Sequence, residues 1–223
     1  MGLRSKLRKN SPLRRLEKAV ERRLEQNRRN EVEAIPTYAL EARHCADARL
    51  LPNRATLLTH MPQSGVVAEL GADEGNFSAA ILATNKPEKL HIVDVWGTKR
   101  YGDQKANAVE RRFKREIGTG RVQITRKLST QAVGDFEDDY FDWLYIDTDH
   151  SYNTTLSELY AYAPKVKLGG LIAGHDYTMG NWITGYKYGV IEAVVEFCVK
   201  ENWGIAFLTA SSNESNSFAI KRT

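Results

Sequence analysis

Strand–helix alternation along residues 66–222 predicts an α/β protein built on a doubly wound, mostly parallel seven-stranded sheet with helices on both faces. Three observations predict it. Short apolar runs such as VVAELG (66–71) and FDWLYID (141–147) end in Gly or Asp, as buried strands do. Helical stretches with caps or amphipathic spacing separate them. A short polar turn, SSNESN, joins GIAFLT (204–209) to SFAIKR (217–222), which implies an antiparallel C-terminal hairpin at one sheet edge.

The other strands are LHIVDVW (90–96), the weaker RVQITR (121–126) and GGLIAGHD (169–176). Helices are expected over 76–84, 106–117, 154–163 and 190–202, the second ending before Gly118 and Gly120. Residues 35–62 read as helical and irregular. Two units follow: a basic helical arm over 1–34 and the sheet domain over 35–223.

Composition bounds the function. The chain has 223 residues, 42% hydrophobic and 27% charged, enough for one packed domain with an appendage. No apolar run nears the roughly 20 residues that cross a bilayer. Two cysteines, Cys45 and Cys198, make neither a disulfide framework nor a four-cysteine zinc site, which fits a reduced, cytoplasmic setting. Residues 1–30 carry 11 Lys and Arg against 3 Glu; the remainder carries 21 basic and 25 acidic residues. The basic character therefore belongs to the arm rather than the body.

In the arm, Ser11-Pro12 reads as a helix start. Leu13, Leu16, Val20 and Leu24 form a narrow apolar stripe among arginines. Three readings stay open: a helix packed on the body or on a second copy, attachment to an anionic membrane surface, or nucleic-acid binding. No aromatic residue lies among these charges to stack a base, which disfavours the last. Met1-Gly2 opens a myristoylation pattern, but Lys6 stands where Ser or Thr is needed.

Ligands of such sheets bind beyond the carboxyl ends of the strands, at the switch point. The first strand ends in E-x-G-x-x-x-G, with Glu69, Gly71 and Gly75. The second ends in Asp94, 19 residues beyond Gly75, where a carboxylate can accept from ribose hydroxyls. The loop holds Asp73 and Glu74, poor neighbours for a pyrophosphate and good ones for a cation. A ligand with a ribose and a positive centre fits better than a dinucleotide, and S-adenosylmethionine has both.

Over about residues 50–222 the chain resembles class I S-adenosylmethionine-dependent methyltransferases, which have a Rossmann-like sheet. It is most similar to the branch with metal-dependent O-methyltransferases of macrolide sugars and cephalosporin-hydroxylase-like proteins. The motifs are VVAELGADEGNFS, LHIVDVW, LSTQAV, YIDTDHSY and GGLIAGHDY. The resemblance implies that Glu69, Gly71 and Gly75 line the methionine end and that Asp94 holds the ribose. It places Trp96 near the adenine, with Leu128 and Ser129 at the adenine-contacting position; Ala72 and Val95 complete the donor set.

The fourth strand ends in Asp147-Thr148-Asp149-His150 and the fifth in His175-Asp176. If these tips share a cleft, Asp147, His175 and Asp176 converge on one cation. Two carboxylates suit Mg²⁺, and the imidazole shifts the preference toward Mn²⁺. Such an ion would acidify an acceptor hydroxyl. His150 is the candidate general base, at the D-x-x-H spacing of the sugar O-methyltransferases the chain resembles. Asp149 reads as a helix cap and His91 as structural. The stretch YTMGNWITGYKY (177–188) interrupts the alternation with Tyr177, Trp182, Tyr186 and Tyr188, which can stack on a sugar or ring acceptor.

The expected activity is metal-assisted O-methylation of a small molecule or sugar hydroxyl. Its rivals are an RNA methyltransferase using the arm as a clamp, a non-catalytic binding protein on the same fold, and a nicotinamide oxidoreductase, which the acidic glycine loop disfavours.

Overall fold

The computed structural model describes residues 12–223, with side chains from Arg14 onward. The expected Ser11 cap, the Met1-Gly2 start and the Leu13 side chain lie outside the described set. The chain divides into two units, Met1–Pro36 and Thr37–Thr223.

The first unit contains helix α1, Pro12–Glu33. Its apolar stripe is in solvent, with Leu16, Val20 and Leu24 all exposed. No helix among the described residues is long and apolar enough to cross a membrane.

The second unit holds the sheet. All seven expected strands are present: β2 (Val66–Leu70), β3 (Lys89–Val93), β4 (Val122–Thr125), β5 (Phe141–Ile146), β6 (Val166–Gly174), β9 (Trp203–Thr209) and β10 (Phe218–Arg222). An eighth, β1 (Arg49–Leu51), pairs parallel with β9. The order is β1-β9-β10-β6-β5-β2-β3-β4. The C-terminal hairpin is therefore not at the sheet edge. β10 runs antiparallel between β6 and β9, and β1 covers the outer side of β9. A three-residue strand with two exposed positions has no apolar run to announce it.

Alternate residues of each strand feed opposite layers. Ala68, Leu144 and Ile146 pack against Leu159, Tyr162 and Phe197, from helices α7 (Tyr152–Tyr162) and α8 (Val190–Glu201). Val67, Trp143 and Tyr145 pack on the other face with Leu57, Ile81 and Val109. These come from α2 (Arg54–His60), α3 (Asn76–Thr84) and α4 (Asp103–Arg112).

The helix expected over 106–117 is two, α4 and α5 (Lys114–Gly118), broken at Phe113. Phe113 is buried, and its ring lies 2.8 Å from where a Cβ on Gly75 would sit. A short α6 (Ser129–Ala132) follows β4. Within the aromatic stretch a small antiparallel pair forms, β7 (Gly180–Asn181) with β8 (Tyr186–Lys187).

Candidate active site

β2 lies between β3 and β5, so the sheet changes direction there, and a cleft of about 790 Å³ opens beyond the strand tips. Glu69, Gly71, Ala72, Asp94, Val95, Leu128, Ser129, Asp147 and His150 all line it. The tips are stitched together by backbone bonds. Gly71 N–H donates to Val93 O at 2.8 Å, Asp147 N–H to Leu70 O at 2.7 Å, and His175 N–H to Ile146 O at 2.9 Å.

The donor side is a tethered loop. Gly71 has φ +86°, and a Cβ there would lie 2.0 Å from the Asp147 carbonyl oxygen. Only glycine lets β2 turn so close to the tip of β5. Asp94 Oδ2 accepts from Ala72 N–H at 2.9 Å and Asp73 N–H at 3.0 Å; Oδ1 accepts from Trp96 N–H at 2.9 Å. A carboxylate has about four acceptor sites, so roughly one remains open after these three amides. Asp94 thus shapes the loop as well as facing the cleft.

Three expectations change. Trp96 is not a cleft wall: its ring is buried in the core and its indole N–H donates to Asp73 O at 2.9 Å. Gly75 does not line the cleft either; it starts α3 with φ +71°, over Phe113. Asp73 and Glu74, read as a field for a cation, are both paired with Lys105.

Glu69 is buried, accepts from the Ser78 hydroxyl, and has its carboxyl pushed up to about 8 by burial. Ser129 donates to Glu158, a buried carboxyl on α7 that also accepts from Thr148 at 2.9 Å. Burial lifts Glu158 to about 7. One side chain therefore ties the β4 loop to the β5 tip.

The acceptor side gathers the predicted reactive residues. His150 Nδ1 lies 3.0 Å from Asp176 Oδ2. His175 Nδ1 lies 3.4 Å from the same oxygen and 3.8 Å from Asp147 Oδ1. Ligand atoms of Asp147, His175 and Asp176 all lie within 4.8 Å of one another. His175 Nε2 is buried with no hydrogen-bond partner. This donor set fits a divalent ion that takes oxygen and nitrogen. Burial raises the Asp147 carboxyl. Burial also pushes Asp176 upward, but the His175 hydrogen bond and the His150 charge hold it below its ordinary range. His150 and Asp176 both have left-handed backbone, φ +62° and +53°. Strain of this kind persists only where surrounding structure imposes it. The His150 ring packs on Tyr188, centroids 4.9 Å apart.

The cap of α7 is Ser151, whose hydroxyl oxygen accepts from Thr154 N–H, rather than the expected Asp149, which buttresses it by accepting from Ser151 N–H and the Thr154 hydroxyl. His91 is buried among Phe136, Tyr140 and Phe141, with its pKa pushed down to about 4 by burial.

Arg54 was not legible as a site residue. Its guanidinium sits 4.6 Å from the Phe77 ring centroid, 3.5 Å from Asp147 Oδ2 and 3.9 Å from Glu214 Oε2. It comes from a segment without strand or motif signal, and only the fold brings it to the cleft.

Residues 68–177 match the family model described as a methyltransferase domain. No curated protein matches the sequence significantly. Among solved structures, an rRNA methylase from Streptococcus thermophilus is 14% identical, with a TM-score of 0.55 over 75% of this chain and 93% of that one. The B. subtilis tRNA methyltransferase TrmK is 11% identical, TM-score 0.56, over 78% and 67%. The precorrin-6y C5,15-methyltransferase of Geobacter metallireducens is 12% identical, TM-score 0.56, over 76% and 87%. At these identities the likeness is one of fold. Residues 68–177 thus match a methyltransferase-domain model in sequence, and the sheet unit shares the fold of these solved methyltransferases.

Proposed function

We propose that the protein transfers a methyl group from S-adenosylmethionine to a hydroxyl oxygen of a small molecule or sugar, assisted by Mg²⁺ or Mn²⁺ held by Asp147, His175 and Asp176. One observation carries the reading. Asp147, His150, His175 and Asp176 meet at the β5 and β6 tips, beside the cleft that Gly71, Ala72 and Asp94 line.

The donor supplies an electrophilic sulfonium methyl, and a bound divalent ion supplies Lewis acidity toward the acceptor oxygen. The chain's own groups do the rest. Asp94 offers its remaining acceptor site to the ribose. Glu69, neutral at pH 7 without the donor, ionises as positive charge arrives. Arg54 faces the donor's carboxylate, and Leu128 and Ser129 flank the adenine. His150 takes the hydroxyl proton on Nε2, since Nδ1 faces Asp176, whose charge stabilises the imidazolium.

Calorimetry with S-adenosylhomocysteine tests the donor, and absence of binding favours a non-catalytic scaffold. Turnover lost with EDTA or in Asp147→Ala, with donor binding retained, supports the metal role; full activity after thorough metal removal refutes it.

A second reading, RNA methylation, has its own observation. Residues 99–127 hold ten Lys and Arg against three acidic residues. Lys99, Arg100 and Arg111 line a depression beside the cleft. RNA binding with steep salt dependence, lost on deleting residues 1–30 or reversing Arg100 and Arg111, would move the assignment there.

A further inference from the structure

Residues 177–186 carry no formal charge, in a chain where 27% of residues are charged. They build most of the β7–β8 hairpin, in which Asn181 sits opposite Tyr186. At its tip Trp182 is 96% and Ile183 93% exposed, and Met179 and Tyr186 beside them are also exposed. Side chains of this kind in full solvent mark a contact surface.

The backbone of the tip is suited to burial. Asn181 Oδ1 accepts from the amides of Ile183 and Thr184, both at 3.0 Å. Gly185 N–H donates to Asn181 O at 2.8 Å. The Ile183, Thr184 and Gly185 amides are thus satisfied internally, so the tip can leave bulk water without stranding them. Trp and Tyr are also the residues that settle at membrane–water interfaces.

Charge on the same chain points to the sign of that surface. Residues 1–30 carry 11 basic residues against 3 acidic. On α1, Leu16, Val20 and Leu24 are exposed at four-residue intervals among Lys18, Arg22 and Arg23. A basic helix with an apolar stripe is attracted to anionic headgroups, and stable peripheral attachment takes two such signals.

We propose that the β7–β8 tip is a membrane-insertion element, with Trp182 and Ile183 entering the interfacial layer of an anionic bilayer. The hairpin follows Asp176 closely in sequence and ends at Lys187, one residue before Tyr188, whose ring packs on His150. Insertion therefore brings the acceptor side of the cleft to the lipid surface, and the acceptor hydroxyl belongs to a lipid-borne headgroup. That siting of the acceptor rests on the O-methyl transfer reading; the insertion itself does not.

The protein carries its own reporter. Trp96, Trp143 and Trp203 are buried, which leaves Trp182 as the exposed tryptophan. The full chain is mixed with phosphatidylglycerol–phosphatidylcholine vesicles and, separately, with phosphatidylcholine alone. Expected with the anionic vesicles are co-sedimentation, a blue shift of emission, and quenching by brominated acyl chains. The shift and quenching vanish in Trp182→Phe. Trp182→Ser with Ile183→Ser lowers partitioning by about tenfold or more, while S-adenosylhomocysteine binding without vesicles stays unchanged. Intact donor binding separates failure of the tip from failure of the donor site. The proposal is overturned by no vesicle binding, or by binding in which Trp182 stays unshifted and unquenched. A blue shift without lipid that tracks dimer formation in sedimentation overturns it in favour of a second copy.

Discussion

The two sides of the cleft are built differently. On the donor side the polar groups already have partners: Asp94 holds three backbone amides, Glu69 holds Ser78, and Lys105 neutralises Asp73 and Glu74. On the acceptor side His175 Nε2 is buried without a partner, and one Asp176 oxygen faces two imidazoles. The first half is preorganised by the protein alone. The second is a concentration of reactive groups with unmet bonding capacity. On the reading proposed above, preorganisation suits the cosubstrate and unmet bonding capacity suits the chemistry.

The sharpest break in that contrast is His150→Ala. Turnover should fall by about 10²–10⁴-fold, the usual contribution of a general base, with donor affinity unchanged by calorimetry. An equal loss of both would mean that the two sides are not separable. Next is Gly71→Ala, which forces a Cβ into the Asp147 carbonyl and strains a backbone at φ +86°. A destabilisation of roughly 2–4 kcal/mol, read by urea denaturation, is expected together with loss of donor binding.

Asp94→Ala frees three amides and removes a ribose acceptor; S-adenosylhomocysteine should bind about 10–100-fold more weakly. Asp94→Asn keeps one acceptor oxygen and should fall between the two. The smallest effect concerns pH. Glu69 is raised from 4.5 to about 8 in the folded chain, so the fold holds a proton that the unfolded chain has released. That contribution is complete below about pH 4.5 and lost as pH rises through 8. The Tm of the donor-free protein should drop over that window, and Glu69→Gln should flatten the slope.

Much of this was legible in the sequence, for identifiable reasons. Strands such as VVAELG and FDWLYID are buried on both faces and show as apolar runs, so the tips bearing Glu69, Asp94, Asp147 and Asp176 could be placed. β1 could not, because a short edge strand with an exposed Leu50 has neither run nor alternation. Arg54, Glu158 and Lys105 were missed because a charged residue on a helix looks like solvated surface until the fold turns it inward. Trp96 was misjudged for the converse reason: an aromatic beside a ligand loop can support the loop from beneath.

The contact between Gly71 and the Asp147 carbonyl has a consequence for inheritance of change. Main chain touches main chain there, with no side chain between to absorb an adjustment. Evolution can redecorate the rim of this cleft. It cannot shift the spacing between the glycine turn and the carboxylate-bearing one without remaking both at once.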